Sequence, residues 1–320
     1  MQTEVDAAVE RLCRQQVLSA AQGDRFRRVA RRELVSVHRE LRFLLYAGIL
    51  VTMAGVGLLV KENYERLGPL AIAAALTLAA AGCLAWVRRQ APPFSWVESA
   101  SPHLAYEYLL LLGVLLLGAD LAYVEAQFTP LGNAWPWHLL LMSVVSALLA
   151  VRYDSRIVFS LALSTFAAWR GVSVMLLEKA FWSGSGQEAS LRANAIGCGI
   201  FFILLGAMVR RYERKPHFEP VAAHLGWILV LGALASGLGG DDTAFGVALL
   251  LTGIALAVFA FRGSRFSLFS LGVLGAYAAF SALFLRTDPP FAVASLWFAV
   301  TSLAVLAGLL TVHQKMRRRA

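Results

Sequence analysis

The feature that most constrains this chain is the recurrence, from residue 43 onward, of unbroken apolar stretches. A bilayer core about 30 Å thick takes roughly 20 helical residues to cross. Stretches of that kind fall at 43–60, 68–87, 106–125, 136–151, 157–177, 193–209, 221–238, 243–261, 266–285 and 291–312. They predict about ten spans. The range is nine to eleven, because the fourth and sixth are short and the third is loosely bounded. Inside hydrocarbon every backbone group must be satisfied internally, so the spans are helices or strands of a closed barrel. Barrel strands alternate polar and apolar residues, and LLLLGVLLLG (109–118) and GVALLLTGIALAVFAF (246–261) do not. The expected fold class is all-α, a polytopic membrane helical bundle. Composition agrees: 58% of residues are hydrophobic and 15% charged, against about 25% charged in a soluble domain.

The net charge of +9 points to topology rather than to nucleic acid. Nine Lys and Arg lie in residues 1–42, four in 210–220 and four after residue 312. Two more lie in each of 88–105, 152–156 and 262–265, so these segments hold 23 of the 29. The alternate connections hold five, and Arg170 lies within a span. Such asymmetry is what the positive-inside rule produces, and it places both termini in the cytoplasm. The expected partners are the lipid bilayer, anionic head groups at the cytoplasmic face and membrane-protein subunits, with no nucleic acid. No cleavable signal is evident, and 43–60 reads as an uncleaved first anchor.

Two domains are expected: a cytoplasmic amphipathic helical hairpin over 1–42 and the membrane bundle over 43–320. Val5, Val9, Leu12 and Cys13 recur at helical spacing. Ser19 and Gln22 then form a capping box that opens a second helix carrying Arg25, Arg27, Arg28, Arg31 and Arg32. Surface anchoring or partner docking would suit that hairpin. Between later spans, Pro92-Pro93 excludes helix and Trp96 suits the interface. Cys13, Cys83 and Cys198 form no framework and read as small packing residues. Val151-Arg152 followed by Ser155-Arg156, and Phe261-Arg262 followed by Ser264-Arg265, hint at a parallel internal repeat, although tight inside hairpins favour Arg and Ser in any case.

The start Val17-Leu18-Ser19, the Gly-rich first span AGILVTMAGVGLLV and the stretch Asn63-Tyr64-Glu65-Arg66-Leu67-Gly68-Pro69-Leu70 resemble a known family. Together with the Leu-Leu-Gly runs of the third span and the Arg-led fifth, they are similar to the uncharacterised bacterial membrane proteins of domain-of-unknown-function family 2157, over about residues 8–175. Tyr64 stands where that family's pattern suggests tryptophan. The resemblance implies a polytopic membrane fold and a bacterial source, and no activity comes with it. The excess of arginine over lysine, 25 to 4, suits a GC-rich bacterial genome.

Ionisable groups within spans are the candidate chemistry, because each costs about 2.5–3.5 kcal/mol to insert at a helix centre. Asp120 in the third span and Arg170 in the fifth lie about 8 and about 10 Å below the same boundary at 1.5 Å per residue. They are expected to face the bundle interior and form an ion pair, either as a lock between helices or as part of a ligand site, the alternative being that Arg170 snorkels on its long stem to the outer surface. Glu125, Gln127, His138 and the Glu178-Lys179 pair lie near that depth and would complete an outward-facing polar vestibule. No ligand spacing supports a metal there, and no cofactor is expected. Trp135 and Trp137 read as an interfacial belt, Asn63 as the cap of the second span, and His224 as interfacial rather than as a haem ligand. No phosphate loop, H-E-x-x-H helix or flanked nucleophile serine occurs. The function expected is therefore that of a non-catalytic accessory or scaffold subunit of a membrane assembly. A permease for a small solute, with its vestibule around Asp120 and Arg170, is the alternative, and an intramembrane enzyme ranks last.

Overall fold

The computed structural model describes residues 9–15, 19, 22–24, 26, 38–99, 104–128, 132–181, 187–239 and 243–317. From His38 onward the described residues form ten α-helices: α1 (His38–Leu67), α2 (Pro69–Gln90), α3 (Leu104–Gln127), α4 (Pro136–Tyr153), α5 (Arg156–Phe181), α6 (Gln187–Arg211), α7 (Glu219–Ser236), α8 (Ala244–Arg262), α9 (Phe266–Leu285) and α10 (Phe291–Arg317). No strand occurs among the described residues. Each helix overlies one of the ten expected spans. Eight of them (α2–α4 and α6–α10) are long and apolar enough to cross a membrane among the described residues. In α1 the apolar stretch is the shorter Phe43–Leu59, and α5 carries Arg170 within it.

The chain divides into two compact units, Met1–Ile72 and Ala73–Ala320. The break between these units falls inside α2. In the first unit the Ser19 amide donates to Gln22 Oε1 at 2.9 Å and the Gln22 amide to Ser19 Oγ at 3.3 Å, which is the expected capping box. A Cβ on Gly23 would lie 2.6 Å from Cys13 Sγ and 3.4 Å from Val9, so the chain turns back on its first helix here. Arg25, Arg27, Arg28, Arg31 and Arg32 lie outside the described residues. Asn63 lies within α1 and not at the start of the second span. α1 runs on to Leu67, and the break is made by Gly68 at φ +74, followed by Pro69 as the first residue of α2. Glycine takes the left-handed conformation without a Cβ clash, and proline at the first helical position loses no needed hydrogen bond.

In the second unit the helices pair as antiparallel hairpins, α4 with α5, α6 with α7 and α8 with α9. Lipid is as apolar as leucine, so close backbone approach at small residues, rather than hydrophobic burial, holds such pairs together. A Cβ on Gly199 would lie 2.6 Å from the Gly226 carbonyl oxygen, and one on Gly272 2.7 Å from that of Gly253. Between α4 and α5, Ser143 Oγ donates to the Ala162 carbonyl at 2.9 Å. α7 is the hub. Ala222 belongs to one core cluster with Val114, Phe159 and Phe202, whereas Val230 and Leu234 belong to a second with Leu249 and Leu256. Outward-facing leucines such as Leu78, Leu148, Leu251 and Leu303 are exposed, as lipid-facing positions should be.

The hairpins α4–α5 and α8–α9 turn the same way. Asp154 (φ 60) and Ser264 (φ 53) are left-handed. The next residue in each case, Ser155 or Arg265, donates its amide to a carbonyl five residues back, Ala150 or Ala260, which is the Schellman arrangement. Arg152 corresponds to Arg262 and Asp154 to Ser264, so the two Ser-Arg pairs are one residue out of register. The likeness between these segments thus follows from hairpin geometry.

Candidate functional site

Contacts between connections sort the second unit into two ends. Residues 91–99, 154–155, 212–218 and 263–265 share one end, here called the basic end, through links of Asp154 to Ser99 and Lys215 and of Arg265 to Glu219. At the opposite end Arg192 meets Ser236, and Arg286 donates to the Leu238 carbonyl.

The expected ion pair is not formed. Asp120 is buried, 7% exposed, and its Oδ2 lies 2.6 Å from Thr77 Oγ1 on α2. The same hydroxyl lies 3.0 Å from the Ala73 carbonyl oxygen, so two oxygens compete for one hydroxyl proton. Asp120 Oδ1 has no hydrogen-bond partner among the described residues. Arg170 is exposed, with its guanidinium carbon 5.8 Å from the Trp169 ring centre. Depth along a helix axis is set by residue count, but the face a residue occupies is set by helix rotation, at 3.6 residues per turn; α3 turns Asp120 toward α2. Glu125 is half-buried near the end of α3 and His138 half-buried in the first turn of α4, where its amide donates to the Trp135 carbonyl at 3.0 Å. Among the described residues, no hydrogen bond or ion pair joins Asp120 to His138 or Arg170. Trp137 is exposed, its ring 6.0 Å from that of Trp169. The side chains of Glu178 and Lys179 lie outside the described residues.

The densest polar cluster is at the basic end, centred on Asp154. Aspartate tolerates the left-handed cap position, which turns its carboxylate back toward residues 91–99, where Pro92-Pro93 keeps the chain non-helical. Asp154 Oδ2 accepts the Ser99 amide at 2.5 Å and the Ser99 hydroxyl at 2.8 Å. Around Oδ1 stand Lys215 Nζ at 3.0 Å and His217 Nε2 at 2.6 Å. Both are within ion-pairing distance but off the line of a regular hydrogen bond. The three side chains are 4–5% exposed. Burial alone would raise the Asp154 pKa; the Ser99 amide, Lys215, the Ser99 hydroxyl and His217 together outweigh it and hold the carboxyl below its ordinary value of 3.8. Lys215 balances the carboxylate charge one for one.

Neighbouring contacts extend the clamp. The Lys215 amide donates to the Trp96 carbonyl at 2.9 Å, and Arg214 lies over the Trp96 ring. Arg156 meets Glu98 at 2.5 Å, and Phe218 stacks on Phe159 with ring centres 4.5 Å apart. Further along, Arg265 bonds the buried Glu219. His224 uses both ring nitrogens: Nδ1 reaches the Pro220 carbonyl, which can only accept, and Nε2 the Ser267 hydroxyl. With both nitrogens engaged, neither is left for axial ligation of a haem.

Sequence reasoning counted Lys215 only as an inside charge and passed over Asp154. The available signal was Asp154 itself, the one acid in the basic connection 152–156.

Residues 10–159 match the family model described as Predicted membrane protein (DUF2157). The resemblance read from the first half of the sequence is thereby shown over that stretch, which is similar to a family of predicted membrane proteins. No curated protein and no solved structure matches the chain.

Proposed function

We propose that this membrane protein is a non-catalytic scaffold or accessory subunit of the bacterial inner membrane, with all ten helices spanning and both termini cytoplasmic. The orientation rests on charge: 23 of the 29 Lys and Arg fall on segments assigned to the basic end or to the tails, and retention of Lys and Arg in the cytoplasm orients such bundles. Arg88, Arg89, Arg210, Arg211 and Arg262 are exposed there, suited to anionic lipid head groups at about 1 kcal/mol each.

The observation that carries the scaffold reading is the closed clamp at Asp154. Alternating access requires each end of a transporter to open in turn. Opening this end would pull Asp154 from Lys215 in a site almost free of water, at about 3–5 kcal/mol for a broken buried pair, with no ligand contact in view to compensate. A fixed face built from three connections suits a platform for another subunit.

Purification in mild detergent followed by native mass spectrometry tests this: a second subunit at fixed stoichiometry is expected. A lone chain that carries a solute across proteoliposome membranes would overturn the scaffold reading in favour of a permease. The permease reading draws on one feature, a cavity at the opposite end between α5, α6 and α7, so its vestibule would be built on Arg192 rather than on Asp120 and Arg170.

A further inference from the structure

A groove of about 500 Å³ runs along the α8–α9 pair, with Val305 of α10 on its flank. Residues spaced three and four apart build it: Leu250, Ile254 and Ala257 share one face of α8, and Phe269, Val273 and Ala276 one face of α9. The two helices lie close at Gly253 and Gly272, which fixes those faces side by side. Among the described residues that line the groove, Arg262 and Tyr277 alone carry polar side chains. The Tyr277 hydroxyl is already engaged, 3.1 Å from Thr301 Oγ1 and 2.9 Å from Ser302 Oγ on α10. The length of the groove is therefore apolar, and its one open polar group is Arg262 at the basic end.

Dimensions restrict what can occupy it. From Leu250 to Arg262 the axial distance is about 18 Å at 1.5 Å per residue. A bilayer core about 30 Å thick gives each leaflet about 15 Å. The groove thus covers one leaflet, the one at the basic end. A partner helix would cross both leaflets, and at about 10 Å across it would need roughly three times this volume over the same length. A single acyl chain fits.

Charge selects the head group. Arg262 is exposed and has no hydrogen bond or ion pair among the described residues, whereas the nearby Arg265 is tied to Glu219. No residue lining the groove is acidic. On α10, His313 packs edge-on against Phe266 with ring centres 4.4 Å apart, so the basic end of that helix, with the exposed Lys315, lies at the same end of the bundle.

We infer that this groove holds one phospholipid of net negative charge. An acyl chain lies along Ile254, Ala257 and Val273, and the phosphate pairs with Arg262, whose planar fork suits phosphate oxygens. Basic pockets between membrane helices are suited to anionic head groups. The site goes beyond the scaffold reading and stands independently of it, because a bound lipid requires no second subunit. It also differs from the general attraction of the exposed arginines, since one lipid is held at one place.

The test is native mass spectrometry of the full chain in mild detergent. It is titrated with phosphatidylglycerol and phosphatidylcholine of identical acyl chains, and with glycerol 3-phosphate as a head group without chains. One phosphatidylglycerol should be retained, at least about fivefold more tightly than phosphatidylcholine, the worth of one arginine beside an anionic lipid. Glycerol 3-phosphate should not bind measurably. Arg262→Gln should bring phosphatidylglycerol down to the phosphatidylcholine level. Ile254→Trp, which adds bulk at an exposed position in the groove, should weaken both lipids. Arg210→Gln removes an exposed charge outside the groove and should leave the retained lipid in place. Equal retention of the two lipids, binding of glycerol 3-phosphate, or equal losses from Arg262→Gln and Arg210→Gln would overturn the assignment. A lone chain that keeps its one lipid would count against the scaffold reading alone.

Discussion

The two ends of the second unit use polar residues in opposite ways. At the basic end Asp154, Lys215 and His217 come from two separate connections, meet Ser99 from a third, and are buried together with short contacts among them. At the opposite end and in the spans near it, the polar groups stand apart. Among the described residues Asp120 keeps an oxygen without a hydrogen-bond partner, Arg170 rests on its own neighbour Trp169, and Arg192 borders a cavity, held by the exposed Glu188 and by Ser236. Short hairpins fix the first set, because a left-handed cap at Asp154 and a brief 3-10 turn over Pro216–Phe218 leave the side chains little freedom. The second set projects from helix interiors, where the rotation of each helix, decided by its smallest residues, determines what each group meets. A membrane bundle can therefore hold its polar groups tightly together at one end and apart at the other.

The largest effect expected from this contrast is at the clamp. Asp154→Ala leaves Lys215 buried without a counter-charge and should cost about 3–5 kcal/mol, seen as a large fall in melting temperature. An equal loss from Arg170→Ala would erase the distinction between the ends. Next comes the close approach of α6 and α7. Gly226→Ala places a methyl 2.6 Å from the Gly199 carbonyl oxygen and should cost about 1–3 kcal/mol by overpacking. Gly197→Ala on α6, where a Cβ meets nothing within 4 Å, should leave the melting temperature unchanged or raise it slightly.

Acid should act on the basic end in a defined direction. Asp154 is held below its ordinary value of 3.8. The stability it contributes is therefore complete above that value and is lost as pH falls from there through the lowered one. Melting curves between neutral pH and the onset of acid unfolding should show wild type falling in that window and Asp154→Asn falling less steeply. The smallest effect is expected between Asp120 and Arg170. A double-mutant cycle with Asp120→Asn and Arg170→Gln should give a coupling below about 0.5 kcal/mol, as for residues that do not touch; a larger value would restore the ion pair.

Helix positions were legible because bilayer thickness dictates their length, and all ten expected spans coincide with helices. The Ser19–Gln22 capping box was legible because it is local, two residues joined by one turn. The Asp154 cluster was not, because its members sit at 99, 154, 215 and 217 and nothing in the sequence states which connections meet. The Asp120–Arg170 pairing failed for a related reason: rise per residue gives depth, and depth says nothing of azimuth. Asn63 was misplaced because α1 extends about two further turns beyond its apolar stretch, and the helix break waits for Gly68. The cavity was invisible for the same cause as the cluster, since Arg192 and Ser236 meet only when α6 and α7 cross at Gly199 and Gly226.

The most direct test of the whole arrangement is site-directed labelling in intact bacterial cells. Cys13, Cys83 and Cys198 would be replaced by alanine, and a single cysteine introduced either by Glu213→Cys at the basic end or by Asp288→Cys in the connection between α9 and α10, both exposed positions. A maleimide that cannot cross the membrane should modify the cysteine at 288 from outside and leave the one at 213 untouched until the cells are opened. Modification at 213 in intact cells, or at both positions alike, would contradict a membrane bundle with its clamped basic end in the cytoplasm.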